Sequence, residues 1–354
     1  MSAVENLGSR ELDPPRDTLL DPPLDPTSAV DTDAPTFTLQ SPPRRIVLLA
    51  GGNSSEWEVS LRSGRSSGDA LRSVGHEVID IDPADPDFIA QLTAYSPDVV
   101  FIALHGHGGE DGSIQGLLEL LHIPYTGSGV LASALAMDKR RSKIHFRNAG
   151  MHTPEAVVIA QNMAGLNAAE DFINRYGLPC VVKPAADGSS IGVSIVRDIA
   201  DLTEALDRGF VASKTLLIER FIAGTEITIP VIGRLELKAL PVIEIVPIVS
   251  DFYDYEAKYS DGGSEHIIPA RLPAATLAYA QEQAIVAHRA LGCVGMSRSD
   301  FIVDGLGTAW IIETNTIPGM TELSLLPDSA GHAGITKGDL YSRIVEWGIE
   351  EHSR

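Results

Sequence analysis

Apolar and polar positions follow different rhythms along this chain, and the changes of rhythm mark its organisation. The first 43 residues hold no sustained apolar period and are rich in Pro and Asp, with pieces such as Asp13-Pro14-Pro15 and Pro23-Leu24-Asp25-Pro26. A stretch of that kind buries too little apolar surface to offset its ordering entropy, so 1–43 is expected to be a disordered acidic tail. From Arg44 the pattern tightens. Short runs that read as strands at 46–50, 77–81 and 99–104 alternate with segments of helical period at 56–74 and 87–95, and a further helix runs through Leu121. That βαβαβ order predicts a parallel, Rossmann-like sheet, where ligands bind beyond the carboxyl ends of the strands.

After Gly150 the rhythm becomes that of a smaller α+β unit. Strands are expected at 156–159, 179–184 and 193–196, a helix at 200–209, and a strand ending at Glu219. Strands follow at 226–232 and 239–247. The polar, aromatic stretch 250–265 reads as a mobile loop. A helix at 273–291 leads to two strands, 301–303 and 309–314, joined by a Gly-containing turn, and a helix at 337–352 ends the pattern. The fold class is therefore α/β, with mixed α+β domains: a tail at 1–43, a Rossmann-like domain at 44–139, a central domain at 140–226 and a C-terminal domain at 227–354.

The last pair of strands carries the most specific chemistry. Asp300 leads the first strand, while Glu313 and Asn315 stand two apart on the second and so share a face. If the strands pair, two carboxylates and a carboxamide oxygen converge without His or Cys, a donor set suited to magnesium. Gly51-Gly52 and His105-Gly106-His107-Gly108-Gly109 both follow strands of the parallel unit. Glycines there let backbone N–H groups converge on an anion or a reacting oxygen, with His105 placed to orient a substrate. The dinucleotide pattern G-x-G-x-x-G is absent at Gly51, which disfavours NAD. Lys183 precedes a Gly/Ser loop, so an ammonium and several N–H groups can reach phosphate oxygens. Glu219 and Glu226 could accept hydrogen bonds from the amino and hydroxyl groups of a nucleotide.

Composition narrows the classes. The 354 residues suffice for two or three domains, and 44% hydrophobic with 21% charged residues fits a soluble globular chain. No apolar run reaches the length of a membrane span, and a secretory signal pattern is missing. Two cysteines, Cys180 and Cys293, each in an apolar stretch, exclude a disulfide framework and fit a reducing cytoplasm. A net charge of −21 argues against nucleic-acid binding.

Taken in order, the motifs resemble those of the D-alanine–D-alanine ligases of the ATP-grasp superfamily. They are Gly51-Gly52-Asn53-Ser54-Ser55-Glu56-Trp57-Glu58-Val59-Ser60, His105 to Gly112, Tyr125-Thr126-Gly127-Ser128-Gly129-Val130, Ala136-Met137-Asp138-Lys139, Tyr255-Glu256-Ala257-Lys258-Tyr259 and Glu313 to Thr321. The likeness covers about 44–352. It implies an ATP-grasp fold, ATP with two magnesium (or manganese) ions, D-alanine as both partners of the ligation, a cytoplasmic homodimer and no membrane. The implied reaction forms an acyl phosphate on one D-alanine, which the amine of a second then attacks, for peptidoglycan precursor synthesis. By motif, Glu58 would hold the ammonium of the first D-alanine with His105 nearby. Lys139, Lys183 and Lys258 would bind phosphate, Glu219 and Glu226 the nucleoside, and Asp300, Glu313 and Asn315 the metal. Arg298 and the Gly319 backbone would stabilise the developing oxyanion, and Ser324 and Leu325 would clamp the second carboxylate. Ser189 and Tyr259 would hydrogen-bond with Glu58 and close over the intermediate.

Trp57, Ala185-Ala186-Asp187 and the Glu322-Leu323 pair depart from common members, the last beside the second-substrate clamp. Three alternatives compete with dipeptide synthesis. A related ligase could use D-lactate or D-serine; Tyr259 argues against lactate, since depsipeptide ligases usually carry His there. A hydrolase would need a nucleophile elbow, and no G-x-S-x-G occurs. A non-catalytic nucleotide-binding regulator would not require Asp300, Glu313, Asn315 and Arg298 together. Deleting 1–43 is expected to leave the melting temperature and kinetics nearly unchanged, because the segment offers no apolar face to bury. A large calorimetric loss of stability would show that it docks.

Overall fold

The computed structural model describes residues 42–186, 192–248 and 263–353. The expected tail up to residue 41 and positions 250–262 of the loop expected over 250–265 lie outside the described residues, while Ser264 and Glu265 belong to a strand rather than to a loop. Among those described, the chain is a mixed α/β protein built on three sheets.

The first sheet is the parallel one expected. It takes β1 (Arg45–Leu49), β2 (Glu77–Ile81) and β3 (Val99–Ile102) in the order β2-β1-β3, crossed by α1 (Trp57–Ser73) and α2 (Phe88–Tyr95). All four residues of β3 are buried, as a strand covered on both faces requires. The loop after β3 leads into α3 (Ser113–Leu120), then α4 (Val130–Met137) and α5 (Lys139–Asn148).

The second sheet is antiparallel. β4 (Ala156–Ala160), β5 (Cys180–Pro184), β6 (Ser194–Val196) and β7 (Thr215–Arg220) pair in the order β4-β7-β5-β6. One face packs on α6 (Met163–Tyr176) and α7 (Leu202–Ala212), through Phe172, Ile173, Leu202 and Leu206. Helix α6 was not anticipated by the pattern reading. Its start is fixed by Asn162, whose side chain accepts from the Gly165 N–H.

The third sheet runs β11-β10-β8-β12-β13, with β9 added on β8. Its strands are β8 (Gly224–Gly233), β9 (Leu237–Ala239), β10 (Ile243–Pro247), β11 (Ser264–Ile267), β12 (Gly295–Asp304) and β13 (Ala309–Asn315). The single strand expected over 239–247 is two, because Pro241 between them offers no N–H to continue a ladder. One face of this sheet packs Ile227, Ile229, Val231 and Phe301 against α8 (Ala274–Leu291), whose Ala280, Ala284 and Ala287 permit close approach.

The final helices do not cap the third sheet alone. Helices α9 (Leu325–His332) and α10 (Lys337–His352) share a core with the parallel sheet, where Leu340, Tyr341, Ile344 and Val345 are buried with Ile46, Leu48 and Phe101. Arg44 donates twice to Glu346, at 2.9 and 2.7 Å, and His76 Nε2 meets Ser342 Oγ at 2.7 Å. The last helix is thereby stitched to the segments that lead into β1 and β2. A Cβ on Gly348 would stand 2.5 Å from the Tyr125 carbonyl oxygen, so α10 and the Tyr125 backbone approach as only glycine allows. Gly348→Ala is expected to force α10 outward and cost about 1–3 kcal/mol. Urea unfolding checks this; an unchanged midpoint would mean that the helix yields freely.

Candidate active site

The expected convergence of oxygens is present in the register of β12 and β13. Asp300 pairs directly with Glu313, and Arg298 with Asn315. Cross-strand partners share a face, so all four side chains emerge on the side away from α8. On β8 the same face carries Glu226, opposite Ile302, and Thr228, opposite Asp300. Arg298 grips Asp300 in a bidentate pair, Nε to Oδ1 and Nη2 to Oδ2 both at 3.0 Å, and Thr228 donates to Oδ1 at 2.5 Å. Asn315 Oδ1 accepts from the Ile317 N–H at 2.8 Å, which fixes where that oxygen points. Oxygen donors only, two of them carboxylates, fit magnesium or manganese better than zinc or copper.

The facing elements supply the positive charge. On the second sheet Lys183 and Glu219 lie on the face opposite α6 and α7, as diagonal neighbours, and their side chains meet at 2.8 Å. Helix α5 spans between the sheets. Asp138 caps it by accepting from the Arg140 N–H at 3.0 Å, which sets Lys139 as its first residue. Lys139 Nζ lies 3.0 Å from Glu313 Oε2. One turn on, Lys143 Nζ lies 3.0 Å from Glu219 Oε1. Burial by itself raises the Glu219 carboxyl, but Lys143 and Lys183 outweigh it and hold the group below the usual carboxylate range. Burial pushes the Lys143 ammonium down to about 8, with Glu219 pulling the other way. Two ammoniums around one carboxylate leave a net positive group, which an incoming polyphosphate would neutralise. Glu219 Oε1 keeps its ion pair with Lys143 but has no hydrogen-bond partner among the described residues.

The parallel sheet contributes its loop ends. Gly51 has φ +95° where a Cβ would collide with Asp82 at 2.3 Å, so the turn requires glycine. His105 is buried, its Nε2 2.8 Å from Ser63 Oγ on α1. That hydroxyl also accepts from the Met320 N–H at 3.2 Å. Nδ1 points toward Glu110, 3.6 Å away, and Glu110 lines a pocket with Lys139, Glu313 and Asn315. This one chain of contacts joins the His105 loop, α1 and the Gly319 turn.

The two acids beside Trp57 differ in burial. Glu58 is exposed on the first turn of α1, whereas Glu56 is 6% exposed. Glu56 packs so close to Gly106 that a Cβ there would sit 2.7 Å from its Oε2. Helix α1 begins at Trp57, so Glu56 belongs to the turn that faces the His105 loop, and Glu58 points outward with Trp57. Glu219 is fully buried, and Glu226 begins the face of β8 that carries the site. Gly319 and Ser324 adjoin: Ser324 Oγ accepts from the Thr321 N–H at 2.9 Å. The Leu325 side chain is buried beside Ile243 and Ile245, so as the first residue of α9 it can offer a ligand only its backbone. Ser189, Lys258 and Tyr259 lie outside the described residues. Sequence reasoning missed Lys143 and Glu56; the capped helix after Asp138 and the Ser-Ser-Glu turn were the signals available.

A small parallel sheet followed by two antiparallel sheets, with lysines and carboxylates between them, makes this an ATP-grasp protein. Comparison with known proteins narrows the class. The model for the D-ala D-ala ligase C-terminus matches residues 145–346, and that for the N-terminus matches 84–128. A D-alanine–D-alanine ligase of Anaeromyxobacter sp. (strain K) is 48% identical over 303 residues, 86% of this chain and 96% of the relative. The crystal structure of the Bacillus anthracis D-alanine–D-alanine ligase complexed with ATP superposes with a TM-score of 0.75 at 33% identity, covering 88% of this chain and 99% of that one. The VanG D-Ala:D-Ser ligase of Enterococcus faecalis reaches 0.73 at 30% identity, over 86% and 99%. The chain belongs to the D-alanine–D-alanine ligase family.

Proposed function

We propose that this chain joins two molecules of D-alanine into D-alanyl-D-alanine with conversion of ATP to ADP and phosphate, as a cytoplasmic homodimer in peptidoglycan precursor synthesis. The observation that carries the reading is the shared face of Arg298, Asp300, Glu313 and Asn315, tied by α5 to the Lys183–Glu219 pair. A carboxylate approaches a polyphosphate only where charge is neutralised, and in-line placement matters more there than covalent help.

In this reading the nucleotide lies between the units near 140–226 and 227–354. Glu219 Oε1 accepts from the base amino group, Glu226 from the ribose, and Lys139 and Lys183 hold the phosphates, with Lys258 added from the loop. Asp300, Glu313 and Asn315 would hold divalent metal, which when bound supplies charge neutralisation at the phosphates. Glu56, in place of Glu58, holds the ammonium of the first D-alanine beside His105. The carboxylate oxygen attacks the γ-phosphorus and ADP leaves. The amine of the second D-alanine attacks the acyl carbon, Arg298 and the Gly319 N–H donate to its oxygen, and phosphate departs as the amine loses its proton. An oxyanion donor of this kind contributes about 3–4 kcal/mol. The N-terminus of α9 at Ser324 and Leu325 receives the second carboxylate, and Ser189 and Tyr259 close the site against water.

D-alanine-dependent phosphate release, with products from a panel of D-alanine, D-serine and D-lactate read by mass spectrometry, tests this. Dipeptide should dominate. A main product carrying D-serine or D-lactate would move the chain to a neighbouring specificity. Glu56→Gln is expected to lower kcat/KM for D-alanine by about 100-fold, on the order of 3 kcal/mol. Glu58→Gln should stay within about twofold, as exposed substitutions do; the reverse order would restore Glu58. For the metal set, Glu313→Ala and Asp300→Ala should weaken manganese binding, followed by electron paramagnetic resonance, by about tenfold or more. Binding as tight as in the unaltered protein would sink the assignment.

A further inference from the structure

Lys143 has no part in the reaction just described, yet it is among the most enclosed cations in the fold, 2% exposed. Its ammonium donates to Thr153 Oγ1 at 2.8 Å and to the Pro154 carbonyl oxygen at 3.1 Å, and it forms an ion pair with Glu219 Oε1 at 3.0 Å. Lys183 already supplies a counter-charge to Glu219 at 2.8 Å. A second buried ammonium adds a desolvation cost that an apolar side chain of similar length would avoid. The cost is understandable if Glu219 must be held as an anion from the protein side. With Lys143 in place, Lys183 need not serve as the only counter-ion. Without it, the attraction of Glu219 would draw Lys183 away from phosphate and let the carboxylate turn to follow it.

We propose that Lys143 is a positioning residue for recognition of the nucleotide base. It fixes the Glu219 carboxylate so that Oε1, which has no hydrogen-bond partner among the described residues, accepts from the exocyclic amino group of adenine while Lys183 serves the phosphates. The ion pair at Oε1 is compatible with this, because a carboxylate oxygen has two acceptor directions and one ammonium occupies at most one of them. The inference rests on the ATP-dependent reading above and adds the residue through which the base is chosen. A purely structural Lys143 would tie the Thr153–Pro154 segment to α5 and nothing more.

The test compares ATP with purine riboside triphosphate, which lacks the amino group, in the full-length enzyme. The unaltered protein should favour ATP in KM by about tenfold, the order expected for one hydrogen bond to a charged acceptor. Lys143→Met should raise KM for ATP by about tenfold, leave KM for D-alanine within about twofold, and bring the ATP-to-purine KM ratio toward one. Lys143→Arg should recover part of that ratio. A ratio of KM values does not depend on the folded fraction, so partial unfolding cannot imitate the result. In a double-mutant cycle, adding Lys143→Met to Glu219→Gln should leave KM for ATP where Glu219→Gln put it, since a neutral carboxamide needs no counter-ion. A Lys143→Met enzyme that keeps the original ratio, or losses from the two variants that simply add, would overturn the proposal. So would an unaltered enzyme that uses both triphosphates equally well, with ATP dependence itself intact. Absence of phosphate release from either triphosphate would instead overturn the reading on which it rests.

Discussion

The site depends on one helix with two lysines four residues apart. Residues i and i+4 of a helix stand one above the other, so Lys139 and Lys143 reach in the same general direction from successive turns of α5. Lys139 meets Glu313 on the third sheet and Lys143 meets Glu219 on the second. The helix is thus an ionic strut, with a carboxylate of a different sheet at each rung. Its other side is anchored in the core by Phe146, and its start by the Asp138 cap. A lysine at the first position of a helix opposes the macrodipole and is disfavoured there, unless an anion is near. Glu313 answers part of that charge, and a phosphate would answer the rest.

How much of this was legible in the sequence depended on whether the signal was local. Strand β2 and helix α10 were read to their end residues, because an apolar period bounded by turn residues needs nothing from the rest of the fold. The Asp300–Glu313–Asn315 grouping was legible for the same reason: a short turn leaves two strands little choice but to pair. The burial of Glu56 rather than Glu58 shows the opposite case. Both acids flank Trp57, and which one faces inward is set by where α1 begins, a boundary that pattern reading places only to within a few residues. Helices α6 and α9 escaped notice because Gly165 sits inside the first, and Pro327 and Gly331 inside the second. Lys143 was illegible in principle. A lysine among Arg140, Arg141 and Arg147 reads as one more solvated charge, and its burial is decided by a carboxylate more than seventy residues away in the chain.

The packing of α10 on the parallel sheet explains how distant motifs come to share a site. The turn holding Gly319 lies between β13, which carries Glu313 and Asn315, and α9 and α10, which belong to the core of the parallel sheet. Met320 donates its N–H to Ser63 on α1, and Ser63 also holds His105. Glu322 continues the seam, accepting from Ser66 at 2.9 Å and meeting Lys337 at 2.5 Å. A turn held at both ends in this way is a rigid platform for backbone donors, as the proposed oxyanion role of Gly319 would require.

The overall charge makes that local arrangement more consequential. With a net charge of −21 the chain repels a polyphosphate at long range, so attraction must come from cations close to the ligand. Lys139, Lys143 and Lys183 are all buried, and Arg298 is mostly so. Buried charges are screened by salt far less than exposed ones. Their effect on a bound phosphate is therefore strong at contact and weak beyond it. In the proposed site, encounter would rely on diffusion against an unfavourable field, and retention on lysines that the fold has already desolvated and paired. The carboxylates Glu219 and Glu313 hold those lysines in place before nucleotide arrives, so little side-chain ordering is left to oppose binding.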